Sequence, residues 1–229
     1  MVATRRTTIF TKRPAPGEVK TRLSPPLSAG DAAELALAML DDTVASARAS
    51  SEFVTRLAVA PAESLAWFRE RYAGLEVVAQ VGPGLGPRLA AHFDAELALT
   101  ATTSVVIGTD APHLGTERIV RAHEALEDGT DLVLAPDEGG GYHLVGLGRA
   151  YPALFTEIPM STGDMCARTV ALAESHGLTV ELLASGFDVD TPDDLQRLVR
   201  LVREAAEPPR ELNETARVLA RLVPPYLAE

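Results

Sequence analysis

The sequence predicts one α/β domain with a mixed, mostly parallel sheet flanked by helices, and three observations lead there. Apolar runs that read as buried strands alternate with stretches of helical periodicity, the pattern of a sheet covered on both faces. Two of those runs, DLVLAP and YHLVGL, flank Gly139-Gly140-Gly141, so a hairpin makes the sheet mixed. At 229 residues the chain fills one core and is short for two. The domain is expected to span residues 1–207. Pro208-Pro209 then sets off a helical appendage, residues 208–229, whose apolar positions from Leu212 to Leu222 offer a face to a second copy in a homo-oligomer.

Taken in order, Thr7 to Phe10 opens the sheet, and a basic loop follows. Ser28 and Asp31 suit a capping box for a helix to about Ala49, with Leu35, Met39, Leu40 and Val44 at helical spacing. Phe53 to Ala60 is a second strand, and Pro61 suits the first position of a helix carrying Trp67 and Phe68 into the core. Leu75 to Ala79 is a short strand, followed by the loop QVGPGLGPRL and a helix from about Arg88 to Leu99. SVVIGTD gives a buried strand, with Gly115 to Leu126 as its helix. After the hairpin, Ser161 and Asp164 suit a capping box for a helix ending at Gly177. Leu178 to Leu183 is the last strand, and it leads into GFDVDTPDDL and further helix.

Composition narrows the function classes. With 21 basic against 32 acidic residues, the net charge of -11 disfavours a nucleic-acid backbone as partner. A single cysteine, Cys166, excludes an intrachain disulfide and any multi-cysteine metal site, which fits a reducing cytoplasm. The N-terminus MVATRRTTIF lacks a secretory apolar stretch, and no segment reaches the ~20 apolar residues of a membrane span. A cytoplasmic protein without membrane or nucleic-acid partners is the expectation.

Ligands of open α/β sheets bind beyond the carboxyl ends of the strands. Four segments there carry unusual residues. In FTKRPAPGEVKTRL, the side chains of Lys12, Arg13, Lys20 and Arg22, with Arg6 just upstream, crowd one early loop of an acidic chain. Gly17 permits close backbone approach, and Lys12, Lys20, Thr21 and Arg22 are candidates to hold phosphate oxygens. Gly108-Thr109-Asp110 ends a buried strand on a carboxylate that needs a partner, and a divalent cation is one such partner. In Gly186-Phe187-Asp188-Val189-Asp190, alternation puts Asp188 and Asp190 on one side, where they can complete a cation site with Asp110. Thr191-Pro192-Asp193-Asp194 has its own explanation as a helix start. Finally, Gly140 and Gly141 allow close approach of a substrate, with Asp137, Glu138 and Tyr142 beside them.

Other residues carry less. His143 is as readily structural as functional, and His92, His113, His123 and His176 show no ligand spacing. Cys166 suits packing rather than nucleophilic attack, since no base pairs with it. GPGLGPRL is not a dinucleotide fingerprint, and GxxxxGK[ST] is absent.

The set FTKRPAPGEVKTRLSPPLS, VVIGTDAPHL, GGGYHLVGL and DVDTPDDL resembles a family of small bacterial proteins labelled glycosyltransferases, the arsenosugar-biosynthesis type among them. The likeness runs from about Thr8 to Leu198 with the motifs in the same order. Lys20-Thr21-Arg22-Leu23 and Asp188-Val189-Asp190-Thr191-Pro192 also look like the blocks of 2-phospholactate (or phosphoenolpyruvate) guanylyltransferases. Both groups imply the GT-A-like fold of nucleotide-diphospho-sugar transferases. The sequence departs from the first family at Gly139, where an aspartate is usual, and at Met160, where an aromatic is common.

The resemblance implies a transferase using Mg2+ (or Mn2+) and a nucleotide-activated donor. Sugar transfer from a nucleotide-sugar to a small acceptor is the first expectation. Nucleotidyl transfer from a nucleoside triphosphate to a small phosphorylated acid, with release of pyrophosphate, is the second. A nucleotide-binding module without catalysis, suggested by Gly139, is the third. For either reaction Asp110, Lys20 and Arg22 are the expected catalytic residues, with Asp110, Asp188 and Asp190 on the metal. Asp137 or Glu138 would serve as base for a hydroxyl acceptor.

Overall fold

A computed structural model describes residues 4–99, 101–160, 162–205 and 210–222. Seven strands form one sheet: β1 (Thr4–Lys12), β2 (Val54–Ala60), β3 (Glu76–Ala79), β4 (Ala101–Ile107), β5 (Leu132–Pro136), β6 (Tyr142–Leu147) and β7 (Val180–Leu182). Their order is β3-β2-β1-β4-β6-β5-β7. Among the described residues, β6 alone runs against its neighbours, pairing antiparallel with both β4 and β5. The helices are α1 (Ala29–Arg48), α2 (Leu65–Arg71), α3 (Leu85–Leu99), α4 (Gly115–Glu127), α5 (Ala153–Thr156), α6 (Met165–Ser175), α7 (Pro192–Glu204) and α8 (Asn213–Leu222).

The apolar runs of the central strands serve two cores at once. In β4, Val105 and Ile107 enter one cluster with Leu40, Val44 and Ile119, while Val106 enters the other with Leu89 and Phe93. In β5, Val133 and Ala135 alternate with Leu132 and Leu134 in the same way. Both sides are covered, so neither strand carries a polar face. The expected helix starts are partly as read. Ser28 caps α1 by accepting the amide of Asp31 at 3.1 Å, although the Asp31 carboxylate takes the Ser28 hydroxyl rather than its amide. Thr191 and Asp194 form a complete capping box on α7.

Several expectations need correction. Pro61 does not open a helix: it precedes a single 3-10 turn, Ala62–Ser64, and α2 begins at Leu65. α3 begins at Leu85 and takes Gly86 and Pro87 into its first turn. Asp164 does not cap α6 with its side chain, which pairs instead with Arg168 at 2.6 Å. Its expected partner Ser161 lies outside the described residues, as do Pro208, Pro209 and the end of the expected appendage. The apolar positions from Leu212 to Leu222 are spent within the chain. Leu212, Val218, Leu219 and Leu222 are buried in a third cluster with Leu23, Leu27, Leu35 and Met39. Asp42 of α1, 2% exposed, fastens α8 there by accepting the amides of Glu214 at 2.9 Å and Thr215 at 2.7 Å. Among the described residues no helix is long and apolar enough to cross a membrane.

Candidate active site

The connection α1 carries the chain from β1 to β2 on one side, and α3 returns it to β4 on the other. The crevice between β1 and β4 is therefore where neighbouring loops part, the usual ligand position of an open sheet. The carboxyl ends of β1, β4, β5 and β7 and the start of β6 share this rim.

The basic loop after β1 divides its charges. Arg6, in β1, is drawn to Glu96 at 3.4 Å, and the Arg13 guanidinium lies over Trp67 at 5.3 Å. Lys12 and Arg22 are exposed and make no ion pair among the described residues. Gly17 (φ 81) meets nothing within 4 Å of where a Cβ would lie, so the turn needs glycine for its backbone angle and not for close packing. Lys20 is the one non-glycine residue with positive φ among the described residues (φ 48). It heads the turn Thr21–Leu23, and Leu23 and Leu27 root that turn in the third cluster. From this position the Lys20 side chain, 6% exposed, runs inward.

The Lys20 ammonium meets two acids from far along the chain. It donates to Asp110 Oδ1 in a short contact and to Asp190 Oδ1 at 2.9 Å. Burial pulls its pKa down, but the charges of Asp110 and then Asp190 outweigh this and hold it above the ordinary lysine value. The two acidic segments are laced together, since Val189 donates its amide to the Asp110 carbonyl at 2.9 Å. Phe187 and Val189 point into the third cluster, which turns Asp188 and Asp190 to the other side as alternation requires. Asp188 Oδ1 is buried without a hydrogen-bond partner. Burial, followed by the charges of Asp110, Asp137 and Asp190, pushes the Asp188 pKa up to about 7, against the pull of Lys20. One ammonium thus faces an excess of carboxylates.

The hairpin differs from expectation. The Asp137 carboxylate accepts the amides of Gly139 at 2.8 Å and Gly141 at 3.2 Å, closing its own turn. Glu138 is held by both Arg197 amino groups at 2.6 and 2.8 Å. Neither is a free base. Tyr142 packs, partly buried, against the cluster of α3 and α6, and burial pushes its hydroxyl up to about 12. Gly140 (φ 89) is needed for packing: a Cβ there would lie 1.8 Å from the Gly163 carbonyl oxygen. The Gly140 carbonyl in turn accepts the amide of Cys166 at 2.9 Å.

Sequence reasoning missed the support of the Asp188 segment. The Phe187 ring is stacked between His113 (centroids 4.2 Å apart) and the Arg197 guanidinium at 4.0 Å. This ties the turn after β4, the acidic segment, α7 and the hairpin together. Arg197 gave no signal, being one of many arginines on an amphipathic helix. Burial, then Arg118 and Arg197, lowers the His113 pKa to about 4, so the ring is neutral in the stack.

A divalent cation needs only one or two carboxylates when substrate phosphates complete its shell. Among the described residues no group of three or more His, Cys, Asp or Glu side chains forms a ready cage. Asp110 and Asp190 instead converge on an ammonium, and the unpartnered oxygen of Asp188 stands nearby. Oxygen donors in excess of positive charge suit a hard cation, so the residues fit one.

Comparison with known proteins bears on the fold. A structure from Desulfovibrio desulfuricans G20, provisionally assigned as a nucleotide-diphospho-sugar transferase, matches with TM-score 0.86 at 24% identity over 96% of this chain and 99% of that one. A cytidylyltransferase from Leptospira borgpetersenii matches with TM-score 0.56 at 12% identity over 96% and 94%. A CMP:2-keto-3-deoxy-manno-octonic acid synthetase complexed with CTP matches with TM-score 0.55 at 9% identity over 88% and 99%. The chain has the fold of the nucleotide-diphospho-sugar transferase superfamily. No protein of curated function matches it in sequence. One family profile does match, over residues 43–162, taking in Asp110 and the hairpin but neither Lys20 nor Asp188. The chain belongs to that family, DUF2064, described as an uncharacterized protein conserved in bacteria.

Proposed function

We propose that the protein is a divalent-cation-assisted transferase acting on a nucleotide-activated donor. One observation carries this reading: Lys20 from the first loop and Asp110 and Asp190 from later segments meet at the rim where the sheet's connections part. Lys12 and Arg22, which pair with no acid among the described residues, would hold donor phosphates, Arg22 through a paired fork. Asp110, with Asp188 or Asp190, would hold Mg2+ or Mn2+. Such a cation, when bound, offsets the charge of a leaving phosphate. The Phe187 stack and the Val189 amide keep the acids aimed at this point.

Sugar transfer from a nucleotide-sugar to a small acceptor is the first reading, on the combined motifs. The nucleotidyl-transfer alternative draws on a specific observation. Both hairpin carboxylates are engaged, Asp137 by its own turn and Glu138 by Arg197, which leaves a hydroxyl acceptor without the expected base. An anionic acceptor needs none. The neighbours described as a cytidylyltransferase and a CTP-bound synthetase support a nucleotide as the donor's common part. The test is incubation with Mg2+ and panels of nucleotide-sugars and nucleoside triphosphates. Consumption of a nucleotide-sugar establishes the first reading, and acceptor-dependent release of pyrophosphate establishes the second. No nucleotide binding in either panel would defeat both.

A further inference from the structure

We propose that Lys20 is a placeholder cation, so that the site takes up a divalent cation together with a polyphosphate and not the free cation. The inference rests on the reading of this cleft as a nucleotide-and-cation site and adds the form in which its ligands enter. The Lys20 ammonium is almost wholly buried and has two partners, Asp110 and Asp190, both among the expected cation ligands. A free divalent cation arriving at these oxygens must displace it. The displaced ammonium would lose both of its hydrogen-bonded carboxylates in a desolvated place, which is costly. A polyphosphate removes that cost by giving Lys20 a new partner.

The loop is arranged for such an exchange. Lys12 and Arg22 are exposed, form no ion pair among the described residues, and can receive phosphate before anything moves. Lys20 sits between them in sequence with a left-handed backbone, a conformation that is strained in a non-glycine residue unless its surroundings hold it. The surroundings here are its two ion pairs and the rooted Leu23. Transfer of Lys20 from carboxylate to phosphate frees Asp110 and Asp190 for the incoming cation, while Asp188 already has an unpartnered oxygen. Coupling of this kind is reciprocal: phosphate tightens cation binding by the factor by which cation tightens phosphate binding.

The test measures Mn2+ binding alone, without phosphate, from the spin-resonance signal of free Mn2+. The proteins are the intact wild type, Lys20→Met, Lys20→Gln, and Lys20→Met combined with Asp110→Asn. The Gln variant keeps a neutral donor to the same carboxylates if Met disturbs folding. Removing the ammonium is expected to tighten Mn2+ binding by about tenfold or more, within the usual span of coupling between sites. Adding Asp110→Asn is expected to abolish the gain. If the wild type binds Mn2+ as tightly as both Lys20 variants, and Asp110→Asn still weakens it, the placeholder is overturned while the cation site stands. If no Lys20 variant binds Mn2+ without phosphate, or Asp110→Asn leaves the gain intact, the placeholder is overturned; the cation site itself falls only if Mn2+ also fails to bind with nucleotide present.

Discussion

Replacing Asp42 by alanine should loosen α8 and, through it, the seat of the basic loop. Asp42 belongs to α1 but acts on the first turn of α8, where amides lack partners within the helix. Its carboxylate is buried, accepts two of them at 2.9 and 2.7 Å, and lies at the positive end of the helix dipole. Each hydrogen bond to a charged group contributes about 1.5–3 kcal/mol, so loss of both costs about 3 kcal/mol even at the low end. For a chain of this size that is a fall in melting temperature of about 6–12 °C. Asp42→Asn keeps the shape and one acceptor oxygen, and should lose about half as much. Thermal and urea unfolding measure the total, and hydrogen exchange should show the α8 amides and the Leu23–Leu27 segment opening first. A melting temperature for Asp42→Ala within about 2 °C of wild type would refute the reasoning, because two orphaned buried donors cannot be that cheap.

Three other outcomes are expected. Gly140→Ala should cost about 2–6 kcal/mol by urea unfolding, combining backbone strain at φ 89 with collision against the Gly163 carbonyl; a loss below about 1 kcal/mol would show that the hairpin does not pack as described. His123 is buried between the hydroxyls of Thr7 and Thr103 at 3.0 and 2.8 Å, and burial, then Arg5, lowers its pKa from 6.5 to about 4. The unfolded chain therefore takes up a proton in a window where the folded imidazole does not. The His123 contribution, at most about 3 kcal/mol, is complete above pH 6.5 and is lost as pH falls toward 4; His123→Gln should shrink that acid limb in pH-dependent unfolding, and an unchanged limb would contradict the assignment. Asp110→Asn should lower turnover by about a hundredfold or more while circular dichroism stays native; full turnover would remove Asp110 from the chemistry.

Legibility followed locality. The β4 run Ser104 to Ile107 reads as a buried strand because both of its faces enter cores, so the sequence shows no polar alternation. The start of α7 was readable because Thr191 and Asp194 satisfy one another three residues apart. The convergence of Lys20 with Asp110 and Asp190 was expected from strand ends alone, although the ammonium lies between the acids rather than waiting for phosphate. One local signal was missed: Asp137 two residues before Gly139 is the spacing of a side chain closing its own turn. What stayed hidden depends on distant pairs. Glu138 meets Arg197 across a separation of 59 residues, and nothing near either residue marks it. The apolar side of α8 is equally suited to a second copy or to the chain's own core, and only the positions of Leu23, Leu27 and Asp42 decide.

The central claim is that the basic loop and the later acids enclose a nucleotide with a cation between them. A crystal grown with a bound nucleotide and Mn2+, with anomalous data at the manganese edge, tests it directly. The account predicts a manganese peak touching Asp110 and at least one of Asp188 and Asp190, with donor phosphates on Lys20 and Arg22. A nucleotide bound away from the β1–β4 crevice, or phosphates in the crevice with Lys20 still on Asp110 and Asp190, would contradict it.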